Sequence, residues 1–203
     1  MVSTSANFLS IFLSGMTSAS KVSVSAMRRL IDHSNPRITP HFDPEPPLFL
    51  PAALSLSDIR LFDANFAPTD GYCLLLIAEG RGFLEITKNT AQNITQDGTD
   101  HNNIDHHSLK KYSLFFFPLS KRWRLCLENS PWKFYLFFLS GVSVSYYNKL
   151  FSNSAKEPFL ISGSSMLPLQ LFHMYDALSD YNHDPLWLSE QLTSLLCLTI
   201  KEA

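Results

Sequence analysis

Two short stretches dense in aromatic side chains constrain the fold of this chain most strongly. They are Tyr112–Pro118, which reads YSLFFFP, and Trp132–Phe138, which reads WKFYLFF. Both are too short and too aromatic for helices of a soluble protein, and such residues are enriched in strands. The pattern therefore predicts two buried strands in the wall of a small barrel. It leaves open whether the barrel holds a ligand or is filled by its own side chains.

The composition argues against several classes of protein. The chain has 203 residues, of which 45% are hydrophobic and 16 are Phe, enough for a substantial core. A formal net charge of −2 gives no reason to expect nucleic acid or an anionic membrane as a direct partner. The apolar stretch at residues 7–16 lacks the preceding basic residues of a secretion signal. We expect a cytoplasmic protein, without a membrane partner, whose Cys73, Cys126 and Cys197 are reduced.

Three segments of the chain differ in composition and in the periodicity of their apolar residues. Residues 1–53 combine a short helix, predicted over Val22–His33, with a proline-rich arm. Such an arm can follow a surface but cannot join the interior of a sheet. Residues 54–141 alternate between short apolar runs and turns, which predicts a barrel. Residues 142–203 show helical spacing, so the chain belongs to the α+β class and is mainly β.

The individual elements follow from the positions of turn residues and from the apolar periodicity. The predicted strands are Leu56–Phe62, Tyr72–Ala78, Phe83–Thr87, Ser113–Phe117, Trp123–Glu128 and Trp132–Leu139. The predicted helices are Val144–Phe151, Leu167–Asp180 and one that runs from Pro185 to about Lys201.

Residues 88–108 are dominated by polar side chains and predict a long hairpin loop. The metal-ligand types in this loop are Asp100, His101, Asp105, His106 and His107. Imidazoles and carboxylates suit Zn²⁺ or Cu²⁺, but the loop offers neither cysteine nor apolar support to fix them. We interpret the cluster as ordinary loop polarity and predict no bound metal and no cofactor.

Motifs that signal catalysis or phosphate binding are missing from the sequence. No serine lies in a G-x-S-x-G turn, and Gly80-Arg81-Gly82 lacks the third glycine of a dinucleotide fingerprint. The basic clusters Lys110-Lys111 and Lys121–Arg124 fit solvated loop ends, because the net charge opposes a large basic surface. We predict no catalytic residues and no enzyme activity.

A set of motifs in a fixed order resembles a known family. The motifs are Gly71-Tyr72, Gly80–Ile86, Leu114–Pro118 and Pro131–Gly141. Together they resemble the N-terminal effector-binding domain of AraC/XylS-type transcriptional regulators. The resemblance implies a cupin-like barrel (a double-stranded β-helix or jelly roll) that binds a small effector, often a sugar. It also implies a helical segment for homodimerisation. In that family DNA is bound by a C-terminal helix-turn-helix module, which we expect to be absent from this chain.

The resemblance also implies site residues. Sugar contacts in the arabinose-responsive member correspond to Asn65, Leu125, Phe134 and Leu136, and none keeps its residue type. The predicted pocket is therefore more apolar and less suited to hydroxyl groups. The full set of predicted ligand contacts is Asn65, Phe83, Trp123, Leu125, Phe134 and Leu136. The predicted dimer contacts are Trp187, Leu188, Leu192 and Leu195.

Three functions remain as hypotheses from sequence. The first is an effector-sensing and dimerisation domain of a bacterial AraC-type regulator. The second is a cupin-fold enzyme, such as an isomerase of a sugar derivative, which the lack of histidine in the predicted strands disfavours. The third is an interaction module without a ligand.

Overall fold

The polypeptide backbone forms two antiparallel sheets and a layer of helices. The computed structural model describes residues 34–38, 46–59, 62–66, 71–87, 104–127, 131–154, 158–178 and 184–203. Its strands are β1 (Ser34–Ile38), β2 (Phe49–Ile59), β3 (Phe62–Phe66), β4 (Tyr72–Glu79), β5 (Arg81–Thr87), β6 (Ile104–Lys110), β7 (Ser113–Pro118), β8 (Trp123–Leu127), β9 (Trp132–Ser140) and β10 (Phe159–Leu160). Its helices are α1 (Val144–Ser154), α2 (Leu167–Ala177) and α3 (Pro185–Glu202).

The two sheets are hydrogen-bonded separately. Sheet A has the order β1-β2-β9-β4-β7-β10, and sheet B has the order β3-β8-β5-β6. The mainly β, α+β prediction is confirmed. The cupin-like, jelly-roll barrel that the resemblance implies stays a prediction; within the described ranges no strand pairing joins the two sheets, so they do not form a closed barrel. The reason lies at one edge, where the outer neighbour of β7 is the two-residue strand β10 and not β6.

Sheet A is buried on both faces, and this explains its continuous apolar runs. Along β9, Phe134, Leu136 and Phe138 pack toward sheet B, where they join a core between the sheets. The alternating Tyr135 and Phe137 pack toward the helices in a second core. Strands β4 and β7 alternate in the same way, so the chain forms three layers: sheet B, sheet A and the helices.

The three helices cover the outer face of sheet A. The buried residues of α1 are Val144, Tyr147 and Phe151, one or two turns apart. The predicted helices are confirmed, with ends shifted by a few residues. Asp184 caps α3 by accepting a hydrogen bond of 2.9 Å from the Leu186 amide to its Oδ1. None of the helices in the described ranges is long and apolar enough to cross a bilayer.

The proline-rich arm is the main correction to the predicted organisation. Strand β1 pairs with β2 at the edge of sheet A, where Pro36 lies opposite Leu54. An edge strand tolerates proline because one side of its backbone needs no ladder partner. Pro51 lies inside β2, at a register irregularity between Phe49 and Ala52. The predicted boundary between residues 53 and 54 therefore falls within a strand, and the helix predicted over Val22–His33 lies outside the described residues.

Candidate functional site

A cleft of about 350 Å³ opens between strand β6 of sheet B, strand β7 of sheet A and helix α1. It lies at the edge where the two sheets fail to join. Its lining residues are Ile86, Asp105, His107, Phe115, Phe116, Phe117, Pro118, Lys121, Asn148 and Ser152. The predicted aromatic strand β7 thus forms one wall, as part of an open cleft and not of a closed barrel.

The aromatic wall is held by ring contacts. Phe115 lies between Phe117 and His107, with ring centroids 5.5 Å and 4.8 Å apart respectively. On the other face of β7, Phe116 stacks on Phe151 of α1 at 4.6 Å. These rings support one another at distances that favour aromatic pairs. The wall is therefore formed before any ligand arrives.

The segment predicted as a loop, residues 88–108, supplies polar groups to the cleft because its end forms strand β6. Asp105 pairs with Ile86, and His107 pairs with Leu84. Both β5 partners face the core between the sheets, so Asp105 and His107 face inward as well. His106 lies on the opposite face. The alternation of a strand separates the histidines that the sequence places side by side, and the prediction of strands without histidine is wrong.

Helix α1 contributes a second set of polar groups. Asn148 and Ser152 are four residues apart and therefore lie on one side of the helix. The Ser152 hydroxyl donates a hydrogen bond of 2.8 Å to the Asn148 carbonyl oxygen. The oxygen lone pairs of Ser152 and the side-chain amide of Asn148 are left for a ligand.

A polar cluster on the outer face of sheet B lies apart from the cleft. The Glu85 carboxylate lies 3.2 Å from Arg124 Nη1 and 3.2 Å from His106 Nδ1. The Arg124 guanidinium also lies over the Phe83 ring, with Cζ 6.0 Å from its centroid. Sequence reasoning missed this cluster, because its residues come from three different strands.

Four of the predicted ligand contacts are core residues. They are Trp123, Leu125, Phe134 and Leu136, each no more than 2% exposed and packed between the sheets. They fill this space together with the facing side chains, so none of them lines the cleft. The alternation of side chains along each strand predicts which residues face the space between the sheets. It does not predict whether side chains fill that space.

The other two predicted ligand contacts lie elsewhere. Phe83 belongs to β5 and pairs with Cys126 on the outer face of sheet B, and its role as a ligand contact stays a prediction. Asn65 lies in β3, opposite Arg124. Its role as a ligand contact stays a prediction.

The predicted dimer contacts are mostly internal. Leu188, Leu192 and Leu195 are at most 4% exposed and belong to the core between sheet A and the helices. Their helical spacing fits α3, but the face they form packs on this chain's own sheet. Trp187 is 37% exposed, so part of its side chain lies at the surface.

The buried Cys73 thiol and the metal-ligand candidates show no reactive or metal-binding arrangement among the described residues. Burial raises the pKa of the Cys73 thiol well above its usual range, so this thiol stays protonated at neutral pH. Among the residues that the structure describes, no group of three or more His, Cys, Asp or Glu side chains has the arrangement of a metal site. Asp100 and His101 lie outside the described residues.

Comparisons with known proteins give only distant similarities. No protein-family model matches the chain, and no curated protein matches it in sequence. One similar solved structure is the AraC-like transcriptional activator CuxR, at 11% identity and a TM-score of 0.48, covering 86% of this chain and 63% of that protein. Another is the plu4264 protein from Photorhabdus luminescens, at 12% identity and a TM-score of 0.37, covering 59% and 83%.

A third similar structure is the hydroquinone 1,2-dioxygenase PnpCD, at 11% identity and a TM-score of 0.33. This match covers 44% of the present chain and 58% of the dioxygenase chain. An AraC-like activator and a dioxygenase thus both occur among the similar structures. At these TM-scores the similarities assign neither a family nor a function.

Proposed function

We propose that this chain is a small-molecule-sensing domain of the AraC type and that its effector binds in the cleft between β6, β7 and α1. The single observation that carries the proposal is the cleft itself. It combines an aromatic wall with polar side chains from three elements, and its volume of about 350 Å³ suits a small ligand. The order of the AraC-like motifs supports the same function, because Leu114–Pro118 is one of them.

The position of the cleft suits a sensor. A ligand there would touch the edges of both sheets and helix α1, three units that no strand pairing joins within the described ranges. Its binding energy would depend on how these units lie relative to one another, so binding would favour one arrangement. We assign DNA contact to a separate helix-turn-helix module, as in the family that the motifs resemble, and homodimerisation to exposed residues of the helical layer.

Thermal-shift measurements with a panel of small metabolites test the proposal, because a ligand that binds only the native state raises its stability. Ser152→Phe would place a bulky ring in the cleft and should abolish any shift. Asn153→Phe, at an exposed position of the same helix that does not line the cleft, is the matched control and should preserve it. If a compound still raises the melting temperature of Ser152→Phe, its binding site lies outside the cleft. If no compound in the panel raises the melting temperature of the parent protein, the sensing function is contradicted.

A cupin-fold enzyme is the second candidate, and one observation favours it. Asp105 and His107 face the cleft from one strand, and both side chains can transfer protons. Turnover of a ligand found in the thermal-shift panel, lost in His107→Ala but retained in His106→Ala, would support the enzyme. Reversible binding without turnover would support the sensor.

A further inference from the structure

We propose that the ligand of the cleft is an organic anion whose charge is bound by Lys121. This inference rests on the proposed function and specifies the chemical class of its effector.

Lys121 is the charged group in the cleft that needs a counter-ion. It is half-buried, and within the described ranges it forms no ion pair or hydrogen bond. Asp105, the acidic side chain of the lining, already interacts with another residue of the chain. A partly desolvated cation without a partner is costly, and an anionic ligand would offset that cost.

The backbone around Lys121 is fixed on both sides. The Leu119 amide donates a hydrogen bond of 3.0 Å to the Gly71 carbonyl oxygen. The Thr87 amide donates one of 2.9 Å to the Arg122 carbonyl oxygen, which ties the same turn to the end of β5. Lys121 is therefore presented by an anchored turn and not by a free loop, which reduces the entropy lost on binding.

The remaining lining describes the rest of the ligand. Ile86 and Phe115 offer apolar contact beside the charge. Across the cleft, Asn148 and Ser152 offer an amide donor and a hydroxyl acceptor. A small carboxylate with an apolar body satisfies all of these groups, whereas a neutral compound of the same shape leaves Lys121 without a partner.

Matched acid and amide pairs test the inference by calorimetry at pH 7. The pairs are benzoate with benzamide, phenylacetate with phenylacetamide, and hexanoate with hexanamide. We expect at least one acid to bind about tenfold more tightly than its amide, the scale of a hydrogen bond to a charged group. Lys121→Gln should remove this difference, whereas Lys201→Gln, at an exposed position on α3, should leave it unchanged.

Each outcome separates the inference from the proposed function. If the amides bind as tightly as their acids and Ser152→Phe blocks their binding, the ligand need not be an anion. The inference would then be wrong, whereas the proposed sensing function would stand. Sodium phosphate that binds as tightly as the best acid, in a Lys121-dependent way, would mean a general anion site and also overturn the organic ligand. Acids that fail to bind overturn the inference, and failure of the whole metabolite panel as well overturns the sensor.

Discussion

The guanidinium carbon of Arg37 lies 5.4 Å from the centroid of the Tyr175 ring, a contact that joins edge strand β1 to helix α2. Tyr175 is 5% exposed and meets Tyr135 of β9 edge-on at 5.3 Å. The Nε of Arg37 is buried and has no hydrogen-bond partner in the part of the chain that the structure describes. The aromatic face of Tyr175 is thus an important part of what holds this cation, at the end of the sheet that the sequence presents as a loose arm.

The first prediction concerns alkaline pH. Burial raises the pKa of the Tyr175 hydroxyl above its usual value of 10.0, and the nearby positive charge of Arg37 partly opposes this rise. Above about pH 10 the unfolded chain loses this proton while the folded protein keeps it. The stabilisation is therefore complete below pH 10 and is lost as the pH rises toward the folded-state pKa.

Urea unfolding at several pH values between 8 and 11 checks this expectation. Tyr175→Phe should lose less stability across this range than the parent protein does. Tyr146→Phe, at an exposed position on α1, should follow the parent. Both variants retain Cys73, whose raised pKa acts in the same direction, so its contribution cancels in the comparison. Parallel curves for the parent and Tyr175→Phe would contradict the assignment.

The second prediction separates core from surface on α3. Leu188→Ala should lower the free energy of unfolding by about 2–5 kcal/mol, because it leaves a cavity between α3 and sheet A. Trp187→Ala should change it by less than about 1 kcal/mol, since the side chain is partly exposed. In sedimentation experiments only Trp187→Ala should weaken self-association of the folded protein. If Leu188→Ala is folded but no longer self-associates, Leu188 would be a dimer contact, as the sequence predicts.

The third prediction concerns the outer face of sheet B. Glu85→Gln should lower stability by about 1 kcal/mol, because a carboxylate only 15% exposed loses its ion pair with Arg124 and its contact with His106 at once. High salt should shrink the difference by screening the parent. Glu79→Gln, at an exposed position at the end of β4, is the control and should be nearly neutral. If Glu85→Gln and Glu79→Gln change the free energy of unfolding equally in chemical denaturation, the partners of Glu85 do not stabilise the fold.

The fourth prediction concerns the turn between β4 and β5. Gly80 has a φ of +95°, and a Cβ there would lie 2.5 Å from Cδ2 of the buried Trp132. Gly80→Ala should cost about 2–5 kcal/mol, combining the left-handed backbone penalty with overpacking. Gly163→Ala is the control, since a Cβ added there would meet no described atom within 4 Å. A neutral Gly80→Ala in thermal unfolding would mean that Trp132 can move aside.

Local patterns predicted much of this fold, and their failures have physical causes. The strands around Phe134 and the helix around Leu192 were found because apolar periodicity reflects burial. Strand β6 was missed because an edge strand with an exposed face can carry polar residues such as His106 and Ser108. The ligand site was predicted in the wrong place because periodicity shows which residues share a face of a strand. It does not show whether other side chains fill the space next to that face. Lys121 and Ser152 line the same cleft only because the tertiary fold brings their elements together.

Neighbouring residues of β9 such as Phe134 and Tyr135 belong to different cores but share one backbone, and this limits how the chain can be divided. The sandwich and the helices cannot melt independently, so calorimetry should record one cooperative transition. A shortened form that ended before α3 would expose the Tyr135 face of sheet A to water and should aggregate. The helical segment is therefore an integral part of the folding unit, and fragments meant for ligand screening must include it.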